Sequence, residues 1–171
     1  TPKKPPGATA VSFSSRRDIS SSSDPSFKRT KPMGPAAGGV QVIKGWLDAD
    51  GNTKERIWDV AVSDGRTIGP DGRCKRRVGN TVDVENASYT NSIGDAALTA
   101  YWKDPDFDPS ERAFYYVRVL ENPTCRWHSF VCNDLGVDCD QPVSVPEDYA
   151  NCCDPNFPRV IQERAWTSPI F

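Results

Sequence analysis

The sequence has one histidine, His128, and one methionine, Met33. A single imidazole cannot supply the several nitrogen ligands of a hydrolytic metal centre. No apolar run approaches the roughly 20 residues that cross a bilayer, so no membrane span is expected. Phosphate-binding glycine loops, dinucleotide fingerprints and Ser-His-Asp patterns are also missing, and with them the common signatures of nucleotide chemistry and acyl transfer. No cofactor, metal or catalytic residue is therefore expected. Large apolar side chains are scarce too: the hydrophobic fraction is 37%, against about 45–50% for an ordinary domain counted with glycine. Part of the chain is not core. The first residue is Thr1, with no hydrophobic leader before it, as in a mature chain or a fragment of a longer protein.

Six cysteines are present, five of them crowded between Cys125 and Cys153. An even number in a loop-rich stretch points to disulfides and an oxidising compartment. The expectation is that Cys74, Cys125, Cys132, Cys139, Cys152 and Cys153 are all bridged, in an order that spacing does not choose. The rival is zinc, but the Cys125, Cys132, Cys139 series lacks close C-x₂₋₄-C pairs. The chain is then expected to be extracellular or on the cell surface.

Charge divides the chain. Residues 1–39 hold seven Lys and Arg against Asp18 and Asp24, a local charge of +5, which leaves −7 for the remainder of a chain of net charge −2. A basic tail on an acidic body favours tail-to-body contact within or between copies. The tail carries six prolines and the run Ser20-Ser21-Ser22-Ser23, a composition that cannot offset its own ordering entropy. It needs a surface to lie on, and Val11, Phe13, Ile19 and Phe27 are its candidate anchors if it adds a strand to a sheet edge. The domain reading is thus a tail over 1–39 and a folded unit over 40–171.

From Val40 the texture is β. Residues 40–47 are β-branched and aromatic, Asp50-Gly51 marks a turn, and Trp58, Val60 and Val62 alternate on a second strand, which makes a hairpin. Residues 63–80 read as a polar loop. Short strands are expected at 81–84 and 98–103, a buried strand over Ala113–Leu120, and a closing strand over 159–166. With no convincing helical period, the expected fold is all-β: an antiparallel, immunoglobulin-like sandwich with long disulfide-stapled loops.

Other patterns have simpler readings beside the functional ones. Asp104, Asp106 and Asp108 alternate as calcium ligands can, but the glycine and distal glutamate of a calcium loop are missing, and prolines at 105 and 109 account for a tight corner. Asp48, Asp50 and Asn52 read as turn chemistry. Cys125 and His128 could form a nucleophile pair only if the thiol were reduced. Arg73, Lys75, Arg76 and Arg77 surround Cys74 and read as a solvated loop, with no nucleic-acid fold motif beside them. Asn86-Ala87-Ser88 is a glycosylation sequon, and the Ser/Thr/Pro-rich tail is like a glycosylated stalk. Trp46, Trp58, Trp102, Tyr116 and Trp166 could line a sugar-binding face, but read first as core and cross-strand pairs.

Four blocks, "QVIKGWLDADGNTKERIWDVAVS", "VGNTVDVENASYTNSIG", "YWKDPDFDPSERAFYYVRVLENPTCRW" and "IQERAWTSPIF", resemble the carboxy-terminal part of the family called domain of unknown function 3604. The resemblance covers Val40 to Phe171, and the first 39 residues resemble nothing further. That family is similar to the PHP-type metal-dependent phosphoesterases, whose metal ligands lie in an amino-terminal barrel absent here. The resemblance implies ancestry and an immunoglobulin-like end domain, with no catalytic residue to carry over. The combined expectation is a non-catalytic extracellular structural protein that partners copies of itself, through its tail, into a filament. Attached or bound glycan is a further expected partner. The alternatives are an accessory domain of a larger hydrolase, or a glycan-binding module.

Overall fold

The computed structural model describes residues 8–14 by their backbone, and 35–141 and 145–171 in full. Ile19 and Phe27 lie outside the described residues.

Ten strands are described. β2 (Ala37–Leu47) and β3 (Thr53–Val62) form the expected hairpin. The intervening turn is set by Asp48, whose Oδ1 accepts from the Asp50 and Asn52 amides at 3.1 and 2.8 Å, and by Gly51 at φ +80°, a left-handed conformation that glycine adopts without strain. β7 (Ala113–Glu121) pairs antiparallel with the other edge of β2, and β10 (Arg164–Trp166) pairs with β7. The result is a four-stranded antiparallel sheet in the order β10-β7-β2-β3. β2 is its spine: Ala37 to Gly45 are all buried, including the strand's first three residues, which the sequence reading gave to the tail.

Register explains the core. Val40 stands opposite Val119 and Val42 opposite Val117, so valines of alternate positions share one face. Against that face packs β6 (Ala97–Lys103), presenting Leu98 and Trp102 to the valines while Thr99, Tyr101 and Lys103 face outward. Each fully buried Val or Ile here contributes about 1.5–3 kcal/mol. β1 (Ala8–Ser14) pairs with β6 as a separate two-stranded sheet. Two further two-stranded pairings complete the strands: β4 (Val82–Asp83) with β5 (Ser88–Tyr89), and β8 (Thr124–Cys125) with β9 (Val160–Ile161).

The segment expected to be loop contains helix. α1 spans Trp127–Asp134, and a 3-10 helix spans Glu147–Cys153. α1 buries His128 and Ser129 and ends where Gly136, at φ +60°, lets the Val137 amide reach back to the Cys132 carbonyl. Disulfides Cys132–Cys152 and Cys139–Cys153 tie the two helical pieces together. The expected single closing strand is split, β9 serving this stapled lobe and β10 the sheet. What stands is a mostly antiparallel β protein with a small helical lobe.

Candidate functional site

The tail strand and its receptor form the first element of the site. β1 runs antiparallel to β6 in continuous register from Ala8 opposite Lys103 to Ser14 opposite Ala97. Val11 pairs with Ala100, and Phe13 with Leu98, which is 7% exposed. β6 has no other ladder partner among the described residues. Its backbone edge is satisfied by a segment that residues 15–36 separate from β2 in the chain.

A buried polar cluster closes the far end of β6. Period two along β2 puts Lys44 on the same face as Val40 and Val42, opposite Tyr115. Lys44 and Asp104 are each 3% exposed. Nζ of Lys44 lies 3.2 Å from Asp104 Oδ2 and 2.7 Å from Glu111 Oε2, and donates to the Asp106 carbonyl at 3.3 Å. Asp104 is held on both oxygens: Oδ2 accepts from the Tyr115 hydroxyl at 2.7 Å and Oδ1 from the Asp106 amide at 2.9 Å. The rings of Trp46 and Tyr115 flank Nζ, with centroids at 5.2 and 5.9 Å. Burial opposes the ammonium charge, but the hydrogen bonds to Glu111 and Asp104 outweigh it and hold Lys44 above the ordinary lysine range. Burial likewise opposes the Asp104 charge, yet Tyr115, the Asp106 amide and Lys44 keep its carboxyl below the usual range. Burial and the neighbouring Asp104 push Tyr115 up to about 12. The cluster rests as an ion pair.

The other candidates scatter. Of the aspartates read as an alternating set, Asp104 turns inward, Asp106 pairs with Arg56 on the surface, and Asp108 accepts from Ser110. No group of three or more His, Cys, Asp or Glu side chains that could hold a metal ion occurs among the described residues. Within the basic loop, Arg73 pairs with Asp59 and donates to the Ile57 carbonyl, while Arg76 donates to the Asp64 carbonyl. Asn86 sits exposed in the turn between β4 and β5, its amide donating to Asp83 at 2.8 Å.

Two expectations need correction. Cys74 and Cys125 are free thiols, not bridged. Cys74 points its sulfur at the Arg76 carbonyl, and Cys125 is buried with its sulfur toward the Asp83 and Ser88 carbonyls. Burial and the Asp83 charge push the Cys125 thiol up, away from the thiolate a nucleophile needs. Trp166 is 59% exposed and is not core. Trp58 and Trp102 do pack together, with ring centroids 5.0 Å apart, and Tyr116 stacks on Phe114.

The model of the family described as Protein of unknown function (DUF3604) matches residues 19–171. The chain belongs to this family. No match was found among curated proteins or among solved structures. The DUF3604 match begins at Ile19, well before Val40, where the resemblance legible in the sequence blocks begins, so part of the basic tail belongs to the family pattern. β1, at residues 8–14, precedes it.

The polar cluster was missed by sequence reasoning, although a signal for it existed. In the run Val40–Leu47 the one charged residue, Lys44, falls at an inward position. A lysine there must be paired or neutral, and that demand points to nearby carboxylates.

Proposed function

We propose that this DUF3604 chain is a non-catalytic structural module that assembles with copies of itself by donating its N-terminal strand. The carrying observation is the β1–β6 ladder: a continuous antiparallel pairing between β6 and a segment that residues 15–36 separate from β2 in the chain. A fully extended stretch of that length spans about 70 Å, enough to reach the β6 of a neighbour. The same ladder formed between copies is a head-to-tail contact, which builds a ring or an open fibre according to its rotation. The +5 charge of residues 1–39 against −7 for the rest favours such docking. In this reading β6 with a donated β1 is the second layer of an immunoglobulin-like sandwich. The disulfides fit a secreted or surface-exposed filament protein, and the exposed Asn86 turn is open to glycosylation in a host with the machinery.

The test compares the full chain with a chain lacking residues 1–34, by light scattering over a range of concentrations. Multimers for the first and a monomer for the second are expected. Because the truncated chain leaves the β6 edge bare, Ser12→Pro with Phe13→Pro in the full chain is the companion variant: of two adjacent strand residues one directs its N–H at the partner, so the pair removes a backbone donor from the ladder. A full-length chain that stays monomeric at every concentration, or a chain with Ser12→Pro and Phe13→Pro that assembles normally, overturns the reading.

A second reading, an accessory module of a larger metal-dependent hydrolase, is favoured by the family membership together with the resemblance of that family to PHP-type phosphoesterases. A native intact mass well above 18.9 kDa plus sugar, with phosphoesterase activity in the larger parent, would support it.

A further inference from the structure

We propose that Lys44 and Asp104 condense into an intramolecular isopeptide bond, with Glu111 as the catalytic proton carrier. The bond would join the spine strand β2 to the end of β6, tying the two layers of the body together.

Three features of the geometry carry this. First, the reacting groups are in contact: Nζ is 3.2 Å from Asp104 Oδ2, which places the adjoining carboxyl carbon one bond beyond that contact and makes the two groups neighbours held in place by the fold. Second, Asp104 is prepared as an acyl group. The Tyr115 hydroxyl at 2.7 Å on one oxygen and the Asp106 amide at 2.9 Å on the other are placed to stabilise charge that develops there during attack. Third, Glu111 touches the nucleophile at 2.7 Å while its side chain keeps 29% of its exposure, so it can exchange protons with water and open a path for the leaving water. The side chains of Lys44 and Asp104 keep 4% and 2%, which shields the product amide from hydrolysis.

The steps balance. In the resting pair Lys44 is an ammonium and Asp104 a carboxylate. Glu111 takes one proton from Nζ and delivers it to Asp104, giving an amine beside a carboxylic acid. The hydrogen bonds favour the charged pair, so the neutral pair is the minor form from which attack proceeds, and burial, which opposes both charges, works toward it. The Nζ lone pair attacks Asp104 Cγ and a C–N bond forms. Glu111 accepts a proton from nitrogen and returns it to the departing hydroxyl, the C–O bond breaks, and one water leaves. Ammonium plus carboxylate become amide plus water, with Glu111 again a carboxylate and no oxidant or other reactant consumed. Effective molarities for well-held groups reach about 10⁵–10⁸ M, which is what drives condensation in water. Only the folded chain brings these groups together, so the bond follows folding.

Asp104, and not the closer Glu111, is the acyl partner because its carboxyl is the one both buried and held by donors at each oxygen. The inference does not need the assembly reading: a monomer can form the bond, and a filament can exist without it. If both hold, load entering through a donated β1 passes from β6 into the four-stranded sheet by a covalent link.

The test is the mass of the purified full chain, denatured and with disulfides reduced. The wild type is expected to be lighter than its sequence by one water, and proteolysis is expected to release a branched peptide joining the Lys44 and Asp104 segments. Glu111→Gln and Asp104→Ala are expected to keep the full sequence mass. Wild-type protein of full mass with no branched peptide overturns the proposal, whatever the variants do. So does a lost water that maps to Lys44–Glu111, or to succinimide at Asp50-Gly51, Asp64-Gly65 or Asp71-Gly72.

Discussion

The sheet body and the cysteine-stapled lobe are held by different means. The body buries a contiguous apolar stripe, Val40, Val42, Val117 and Val119 with Leu98, and places one charged cluster at its end. The lobe has little apolar surface to bury. α1 leaves Trp127 at 72% and Phe130 at 41% exposed and buries only His128 and Ser129. Two overlapping disulfide loops, closing 20 and 14 residues, take the place of a core, as in other small units that cannot gather enough hydrophobic contact. Disulfides act mainly on the unfolded chain by limiting its freedom. The polar cluster acts on the folded chain, because a buried charge tolerates no vacancy opposite it. The two regions should therefore fail separately and for opposite reasons.

The sharpest way to break that contrast is to remove one partner of the buried cluster. Asp104→Ala leaves the Lys44 ammonium with Glu111 and the Asp106 carbonyl, and removes the acceptor of the Tyr115 hydroxyl. Breaking a buried ion pair in this way costs about 3–5 kcal/mol, and where Lys44 and Asp104 have condensed the variant loses their cross-link in addition. The loss should appear in chemical denaturation followed by tryptophan fluorescence, since Trp58 and Trp102 report on the body. Hydrogen exchange in α1 should not change below the global transition. A loss under about 1 kcal/mol would show that the cluster is more solvated than its exposure indicates.

Next in size is the lobe. Cys132→Ser with Cys152→Ser removes the larger of the two loops, for which the loop-entropy account gives about 3 kcal/mol. The loss should stay within the lobe: faster exchange in α1 and the 3-10 helix, with β2 and β7 protected as before. Faster exchange in the β2–β7 ladder as well would show that the lobe supports the sheet through β8 and Arg159, whose carbonyl accepts from the Arg126 amide and the Ser129 hydroxyl. A smaller effect within the body is expected at Gly45. A Cβ there would lie 2.5 Å from the Phe114 ring, so Gly45→Ala forces the ring aside at about 1–3 kcal/mol.

Much of this division was legible in the sequence, and the unread parts have physical causes. The β2–β3 hairpin could be read because valine alternation and Asp50-Gly51 agree on one local answer. The disulfide-stapled region could be located by crowding of cysteines but not mapped, because pairing is a tertiary choice. α1 escaped because eight residues are too few turns for a 3.6 period to stand out against neighbouring loop residues. An even count in a loop-rich stretch puts Cys74 and Cys125 among the bridged cysteines, and neither parity nor crowding has force when two thiols are turned onto separate backbone carbonyls. Lys44 was overlooked since its partners lie at 104, 111 and 115, a separation that no local pattern spans.

The smallest effect distinguishes the regions by pH. His128 is buried against the Phe157 ring at 4.4 Å, and its Nε2 has no hydrogen-bond partner among the described residues. Burial, with Arg126 and Arg159 nearby, holds its titration below the ordinary value. The folded lobe therefore binds the proton less readily than the unfolded chain does. Above about pH 6.5 both forms are neutral and His128 leaves stability unaffected by pH. As pH falls below that value the unfolded chain takes the proton first, so stability declines, by less than about 1.4 kcal/mol per pH unit for one group. Exchange measured in α1 at pH 7 and pH 5 should show this decline in the wild type and lose it in His128→Phe. The body carries no buried histidine, and Glu121 on β7, pushed up by burial and by Glu163, acts in the opposite direction, so β2–β7 exchange, corrected for intrinsic chemistry, should stay level or slow over the same interval. An equal decline in both regions would mean that the lobe and the sheet unfold as one unit, and the separation drawn between a covalently stapled lobe and a core-packed body would not hold.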